Sequence, residues 1–200
     1  LWDAVSGRTI RTFDHGAPVL LAMFSRDDAR LFTVGADRTA RLWNAASGEV
    51  NGTYKNVAVP PARMLAGMSD GGYTVYYVGV ERGAHLLDVR TGNRRDLPRA
   101  LSGPVSAVAV ADAAPLVATG GVDGVTRLFD SATGALELQL RRHAAPVTRV
   151  VFPPLGDRVV TVGDDDAVRL WSVAGTPVAT AQHQGTVRGV NFSADGERLL

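Results

Sequence analysis

Thr33 to Asn44 reads T-V-G-A-D-R-T-A-R-L-W-N, and the stretch returns twice more in the chain. The second copy is A-T-G-G-V-D-G-V-T-R-L-F-D at 118–130, and the third is T-V-G-D-D-D-A-V-R-L-W-S at 161–172. Each copy has an apolar or Thr-bearing strand end, a Gly-Asp turn, and a second strand closing on Leu-aromatic. Two alternating strands joined by such a turn predict a β-hairpin. Glycine takes backbone angles that other residues resist, and Asp hydrogen-bonds the neighbouring backbone. On this reading the turn glycines are present for their conformational freedom.

The hairpins recur with a fixed period. Leu-Trp stands at 1–2, 42–43 and 170–171, with Leu128-Phe129 and the weaker Leu86-Leu87 between. Successive spacings of the anchor are 41, 44, 42 and 42 residues. A second apolar anchor precedes each by 19 residues, at Phe24, Met68, Val110 and Phe152, and Phe192 continues that series. Two anchors in one phase, with room for four short strands per period, predict propeller blades.

On these residues the chain resembles the WD-repeat (WD40) β-propeller family over essentially its whole length. Leu1-Trp2-Asp3 holds the dipeptide that names the family, and Trp43-Asn44, Phe129-Asp130 and Trp171-Ser172 are variants of it. The family's Gly-His opening survives as the His alone, at His15, His143 and His183. The resemblance implies a buried hydrogen-bonded network of this His, a strand Ser or Thr, the turn Asp and the Trp. By position the sets are His15, Thr33, Asp37, Trp43 and His143, Thr161, Asp165, Trp171. The repeat before His143 keeps Thr119 and Asp123 but has Leu101 for the His and Phe129 for the Trp; His183 opens a further set. The second repeat has Val59, Tyr77, Glu81 and Leu87 at the four places, so no network is expected there.

The phase divides the chain into an all-β propeller section of four-stranded antiparallel blades. Residues 1–13 read as the end of a preceding blade, with an outer strand from Thr9 to Phe13. Whole blades follow at 14–55, 56–98 (degenerate), 99–141 and 142–182, and 183–200 begins another. Propellers of the family usually close with seven blades, which implies a section of a longer native chain that supplies the rest. Val105 to Val110 is apolar on both faces apart from Ser106, as a strand sandwiched between stacked sheets requires.

Composition excludes more than it proposes. Twenty-one basic residues face 20 acidic ones, for a net charge of +1, which argues against nucleic acid or a membrane surface as partner. There is no Cys, so neither disulfides nor thiolate metal sites arise. No apolar run approaches the ~18 residues of a membrane helix. Arg- and Ala-rich usage points to a bacterial source, and the resemblance implies a cytoplasmic location.

Several constellations invite a chemical reading and are outweighed. His-Thr-Asp suggests a catalytic triad, but a nucleophile needs an exposed hydroxyl and an oxyanion hole, and this set repeats in mid-strand positions. Asp164-Asp165-Asp166 lacks the spacing of a cation loop, and Gly120 to Gly124 lacks the Lys-Ser/Thr and helix of a phosphate loop. His85 stands alone in a predicted third strand and reads as a packed or surface residue. Arg90, Arg94, Arg95 and Arg99, with Arg141-Arg142 on the next blade, suit an acidic partner, but a charged edge that blocks sheet pairing is the favoured reading. No catalytic residue, cofactor or metal is expected. The function expected is a non-catalytic scaffold binding protein or peptide through loops on one propeller face. The exposed candidates there are Ala36, Arg38, Val122, Arg142, Asp164, Asp166 and Gln184. The alternative is a sensor or substrate-docking section of a larger signalling enzyme carrying a kinase, protease-like or NTPase module.

Overall fold

The computed structural model describes residues 1–25, 27–57, 66–68, 74–78, 83–88, 91, 93–98, 104–111, 113–193 and 195–200. Among them the regular structure is all β, in four separate antiparallel sheets of four strands. The first holds β1 (Val19–Phe24), β2 (Arg30–Gly35), β3 (Ala40–Asn44) and β4 (Val50–Tyr54). The second holds β5 (Ala66–Met68), β6 (Thr74–Val78), β7 (Ala84–Asp88) and β8 (Arg94–Asp96). The third holds β9 (Val105–Val110), β10 (Leu116–Gly121), β11 (Val125–Asp130) and β12 (Leu136–Arg141). The fourth holds β13 (Val147–Val151), β14 (Arg158–Gly163), β15 (Ala167–Ser172) and β16 (Pro177–Gln182). In each sheet the strands lie side by side in chain order, as short hairpin connections dictate.

The repeated sequence produces a repeated register. Thr33 faces Arg41, Thr119 faces Arg127 and Thr161 faces Arg169 across the central hairpin. The ladder to the outer strand slips at one place in three sheets, between Leu42 and Trp43, Leu128 and Phe129, and Leu170 and Trp171. A slip of this kind adds local twist and turns the outer strand away from the flat plane.

The core lies between sheets rather than inside one layer. Phe32 and Leu42 of the first sheet pack with Val75 and Leu87 of the second. Leu86 of the second meets Val105, Val117 and Phe129 of the third. Leu128 and Leu140 of the third meet Val147, Val150 and Trp171 of the fourth. The expectation for Val105 to Val110 holds for this reason: β13 packs beside β9, and Val105 and Ala107 to Ala109 are buried. One polar tie crosses the same seam, where Ser106 Oγ donates to the Val147 carbonyl at 2.6 Å. β1 is as apolar as β9, yet its residues alternate between exposed and half-buried.

Residues 1–13 depart from expectation. Instead of an outer strand from Thr9 to Phe13, they hold one isolated bridge, Trp2 to Thr9. A strand needs a ladder along its length, and this segment touches the first sheet through side chains instead: Phe13 meets Trp43 edge-on, and Arg11 Nη1 donates to the Ser47 carbonyl at 2.7 Å. Residues 183–200 likewise hold a single bridge, Phe192 to Leu199, with Val187, Val190 and Phe192 against Val160 and Val162 of the fourth sheet.

Gly124 has the conformational role read in the sequence, but Gly35 and Gly163 serve a different purpose. Left-handed φ falls on the residue after the turn Asp: 63° at Arg38, 74° at Gly124 and 58° at Asp166. Gly35 and Gly163 lie beside an imidazole ring instead. A Cβ on Gly35 would meet His15 Nε2 and stand 2.6 Å from Asp37 Oδ1; one on Gly163 would meet His143 Nδ1 and Asp165 Oδ1. The ring and carboxylate occupy the space of the missing side chain, so a methyl group there forces the turn open. Gly163→Ala is therefore expected to destabilise the protein by about 1–3 kcal/mol, as overpacking does. Urea unfolding measures this, and an unchanged midpoint would sink the close-approach account.

Candidate functional site

The central hairpin turns and the loops leading into the inner strands share one end of the sheets. In the fourth sheet a chain of hydrogen bonds runs through the core behind the turn. Trp171 Nε1 donates to Thr161 Oγ1 at 3.0 Å, leaving that hydroxyl to donate to His143 Nε2 at 2.8 Å. His143 Nδ1 then donates to Asp165 Oδ1 at 2.8 Å. The other carboxylate oxygen accepts from the Ala144 N–H and from Arg169 Nη1. Thr161 is fully buried, so its hydroxyl has no approach for a substrate and serves as a structural relay.

The first sheet carries a related chain with the ring turned over. Trp43 Nε1 donates to Thr33 Oγ1, and Thr33 bonds His15 at Nδ1 rather than Nε2. His15 Nε2 reaches Thr39 Oγ1 at 3.0 Å, and the Thr39 hydroxyl donates onward to Asp37. His15 and Asp37 themselves stay 3.6 Å apart. Thr39 is thus an interposed member that position-by-position matching does not supply.

The third sheet brings Thr119 and Asp123 to the matching places but does not join them. Thr119 Oγ1 is buried with no hydrogen-bond partner among the described residues. Asp123 is held instead by Arg127, at 2.7 Å from Nη2 and 3.2 Å from Nη1. Leu101 lies outside the described residues, as do Val59 and Glu81. His183 is exposed and its side chain makes no hydrogen bond among the described residues, although its N–H donates to the Asp166 carbonyl; the strand, turn and aromatic positions of its own set would fall after Leu200.

Electrostatics follow from these contacts. Burial works to raise the Asp165 carboxyl, but the bonds from His143, Ala144 and Arg169 outweigh it and bring it down to about 2. Burial, aided by the Arg169 charge, lowers His143 despite its bond to Asp165. Asp123 is lowered chiefly by Arg127.

The turns are pinned from outside as well. The N–H groups of Ala36, Val122 and Asp164 donate to the carbonyls of Pro18, Pro104 and Pro146, each heading an inner strand. A Cβ on Gly124 would lie 2.5 Å from the His143 carbonyl, so the third sheet's turn abuts the loop that enters the fourth. Around this framework Ala36, Arg38, Val122, Arg142, Asp164 and Gln184 are exposed, and Asp166 is partly buried. Asp165 is committed to His143 and Arg169, which leaves the three consecutive aspartates without a common focus.

Sequence reasoning missed the arginine four residues after the turn Asp, at Arg41, Arg127 and Arg169. The signal, D-x-x-x-R-L-aromatic, stands in all three copies. It also missed the Pro-Val pairs at 18–19, 104–105 and 146–147. His85 is not alone: it is buried, with Nδ1 2.7 Å from Asp96 Oδ1. Of the arginines near it, Arg94 bonds Asp96 through Nε, while Arg90 and Arg99 lie outside the described residues. The residue after the aromatic caps the opposite turn, as where Asn44 Oδ1 accepts from the Ala46 and Ser47 N–H groups.

Comparison with known proteins agrees with this geometry. The family profile "WD domain, G-beta repeat" matches residues 7–44, 95–130 and 134–172. Transcription initiation factor TFIID subunit 5 of Caenorhabditis elegans is 26% identical over 197 residues, 96% of this chain and 30% of that protein. Nuclear distribution protein PAC1 of Coccidioides posadasii (strain C735) is 25% identical over 175 residues, 87% of this chain and 32% of that protein. Pre-mRNA-processing factor 19 of Mus musculus is 34% identical over 86 residues, 42% of this chain and 17% of that protein. The chain spans about a third or less of the length of each. All three are eukaryotic, so the bacterial source suggested by composition gains no support from them.

Two measurements check the networks. Thr161→Val strands both the His143 ring and the Trp171 N–H and is expected to cost about 1–3 kcal/mol, whereas Thr119→Val removes an unpaired hydroxyl and is expected to be neutral or stabilising; equal losses at the two sites would contradict the assignment. The pH response has one sign throughout. His143 and Asp165 both titrate lower in the folded state, so each contributes stability above its unfolded value that is lost as pH falls. The melting temperature should begin to drop below about pH 6.5 through His143 and drop again between about pH 4 and 2, where Asp165 accounts for about 2 kcal/mol. His143→Gln should abolish the upper step.

Proposed function

This chain belongs to the WD-repeat family, and on that premise we propose that it is a non-catalytic scaffold whose hairpin-turn end binds a protein or peptide partner. The observation that carries the reading is the contrast at that end. Two of the turns are held from behind by buried networks, and three are tied in front to the Pro-headed loops. Ala36, Arg38, Val122, Arg142, Asp164, Asp166 and Gln184 meanwhile remain at or near the surface. Side chains on turns that are already ordered lose little entropy on binding, so the surface is suited to recognition. The carboxylates with the most perturbed chemistry are spent on structure, which speaks against catalysis at this end. TFIID subunit 5 is by its name a member of a larger assembly, which supports an interaction role here.

The reading extends to two further points. Half-exposed apolar β1 and Trp2, which is 69% exposed, support further blades of the native chain covering the first sheet. A cytoplasmic location is proposed with it, which a Cys-free sequence permits.

A partner identified by affinity purification provides the test. Combined Arg38→Glu, Arg142→Glu and Asp164→Arg should weaken that partner's binding about tenfold or more, with an unchanged melting temperature. Full binding by the variant would move the interaction off this end.

A further inference from the structure

At the opposite end of the sheets a groove runs between the second and third. Its walls include the turn between β7 and β8, with Thr91 and Asn93, then Arg94 and Arg95 of β8, and Ser131 and Ala132 of the turn between β11 and β12. Two features of the sequence open it. β8 is only three residues long, against six for β12 and β16, so the outer edge of the second sheet stops short. The facing turn carries Ser131 and Ala132, which are too small to fill the space. At the next seam the matching turn closes onto the neighbouring sheet, where a Cβ on Gly175 would stand 2.8 Å from Leu138 Cδ2.

The groove is rich in hydrogen-bond donors. Arg95 is exposed, and its guanidinium makes no hydrogen bond among the described residues, though its charge helps to lower the Asp130 carboxyl. The Asn93 side-chain amide and the Ser131 hydroxyl make none among the described residues either. Asp88, the one carboxylate in the lining among the described residues, already accepts from the Thr91 N–H. Asp130 is likewise committed, to the Thr133 N–H and hydroxyl. Of the four arginines in residues 90–99, Arg90 and Arg99 lie outside the described residues and Arg94 is held by Asp96, so Arg95 is the guanidinium that the groove offers to a ligand.

We propose that this groove docks an acidic segment of a partner polypeptide, with Arg95 pairing a carboxylate and Asn93 and Ser131 donating to its backbone or side chains. Guanidinium and carboxylate match in shape as well as charge, so a segment of Asp and Glu residues fits this donor set. The site lies away from the hairpin-turn end and stands independently of the function proposed for that end. It also assigns a use to Arg95 that a charged edge strand alone does not need, since blocking sheet pairing requires no groove.

The test is fluorescence anisotropy of the purified protein with a fluorescein-labelled peptide of alternating Glu and Ser, beside a Lys-Ser peptide of equal length. The Glu-Ser peptide alone should bind, more weakly as salt rises. Arg95→Glu should cut its affinity about tenfold or more, and Arg95→Gln should cut it less. Ala132→Trp, which fills the groove without changing charge, should also weaken it. Arg188→Glu, an exposed position beyond the fourth sheet and outside both proposed surfaces, should leave it intact. Failure of the Glu-Ser peptide to bind at low salt would overturn the proposal. So would equal losses from Arg95→Glu and Arg188→Glu, which would mark general charge attraction, or unchanged binding to Ala132→Trp.

Discussion

One buried hydroxyl carries much of the architecture. Thr161 Oγ1 accepts from the Trp171 indole and donates to the His143 ring, joining strand, loop and turn through a single atom. Each such bond is worth only about 0.5–1.5 kcal/mol net, but an unpaired buried partner costs more than the bond returns. The chain therefore acts as a unit, and Asp165 at its end owes its low proton affinity to the groups that close around it. Gly163 follows from the same constraint, because no side chain fits where the ring and carboxylate meet.

The third sheet shows which part of this design is dispensable. It keeps the Thr but has Phe129 in place of an indole donor, and the hairpin register is unchanged. The turn Asp is still held, by the arginine four residues on. Arg127 faces Thr119 across the hairpin as Arg169 faces Thr161, so the guanidinium already lies beside the carboxylate whether or not a histidine is present. The ion pair is the common denominator of the third and fourth sheets, and the histidine chain is laid over it.

Much of the fold was legible because it repeats. The 42-residue spacing of Leu-aromatic anchors sets the phase, and the four sheets fall in that phase. Pairing within the network was less legible. The family resemblance, carried over by position, placed His15, Thr33, Asp37 and Trp43 together, but whether a ring nitrogen meets a carboxylate or a hydroxyl depends on ring orientation, and Thr39 is invisible to a rule built on matching columns. The role of Gly35 was misread because conformational freedom and lack of bulk leave the same letter in a sequence. The strand expected from Thr9 to Phe13 did not form, because a residue can match its column while the strand that would pair with it is not beside it. The groove beside β8 had only a compositional trace, since an opening depends on how short one strand is and how small the facing turn is.

The overturned ring in the first sheet has a consequence for observation. His15 bonds the strand hydroxyl through Nδ1 and His143 through Nε2, so with each hydroxyl donating, the ring proton sits on Nε2 in one and on Nδ1 in the other. The two imidazoles are opposite tautomers in homologous places, and their nitrogen resonances would separate by spectroscopy without any label beyond isotopes. Each ring then reports on its own sheet, and the order in which stacked sheets come apart becomes directly readable.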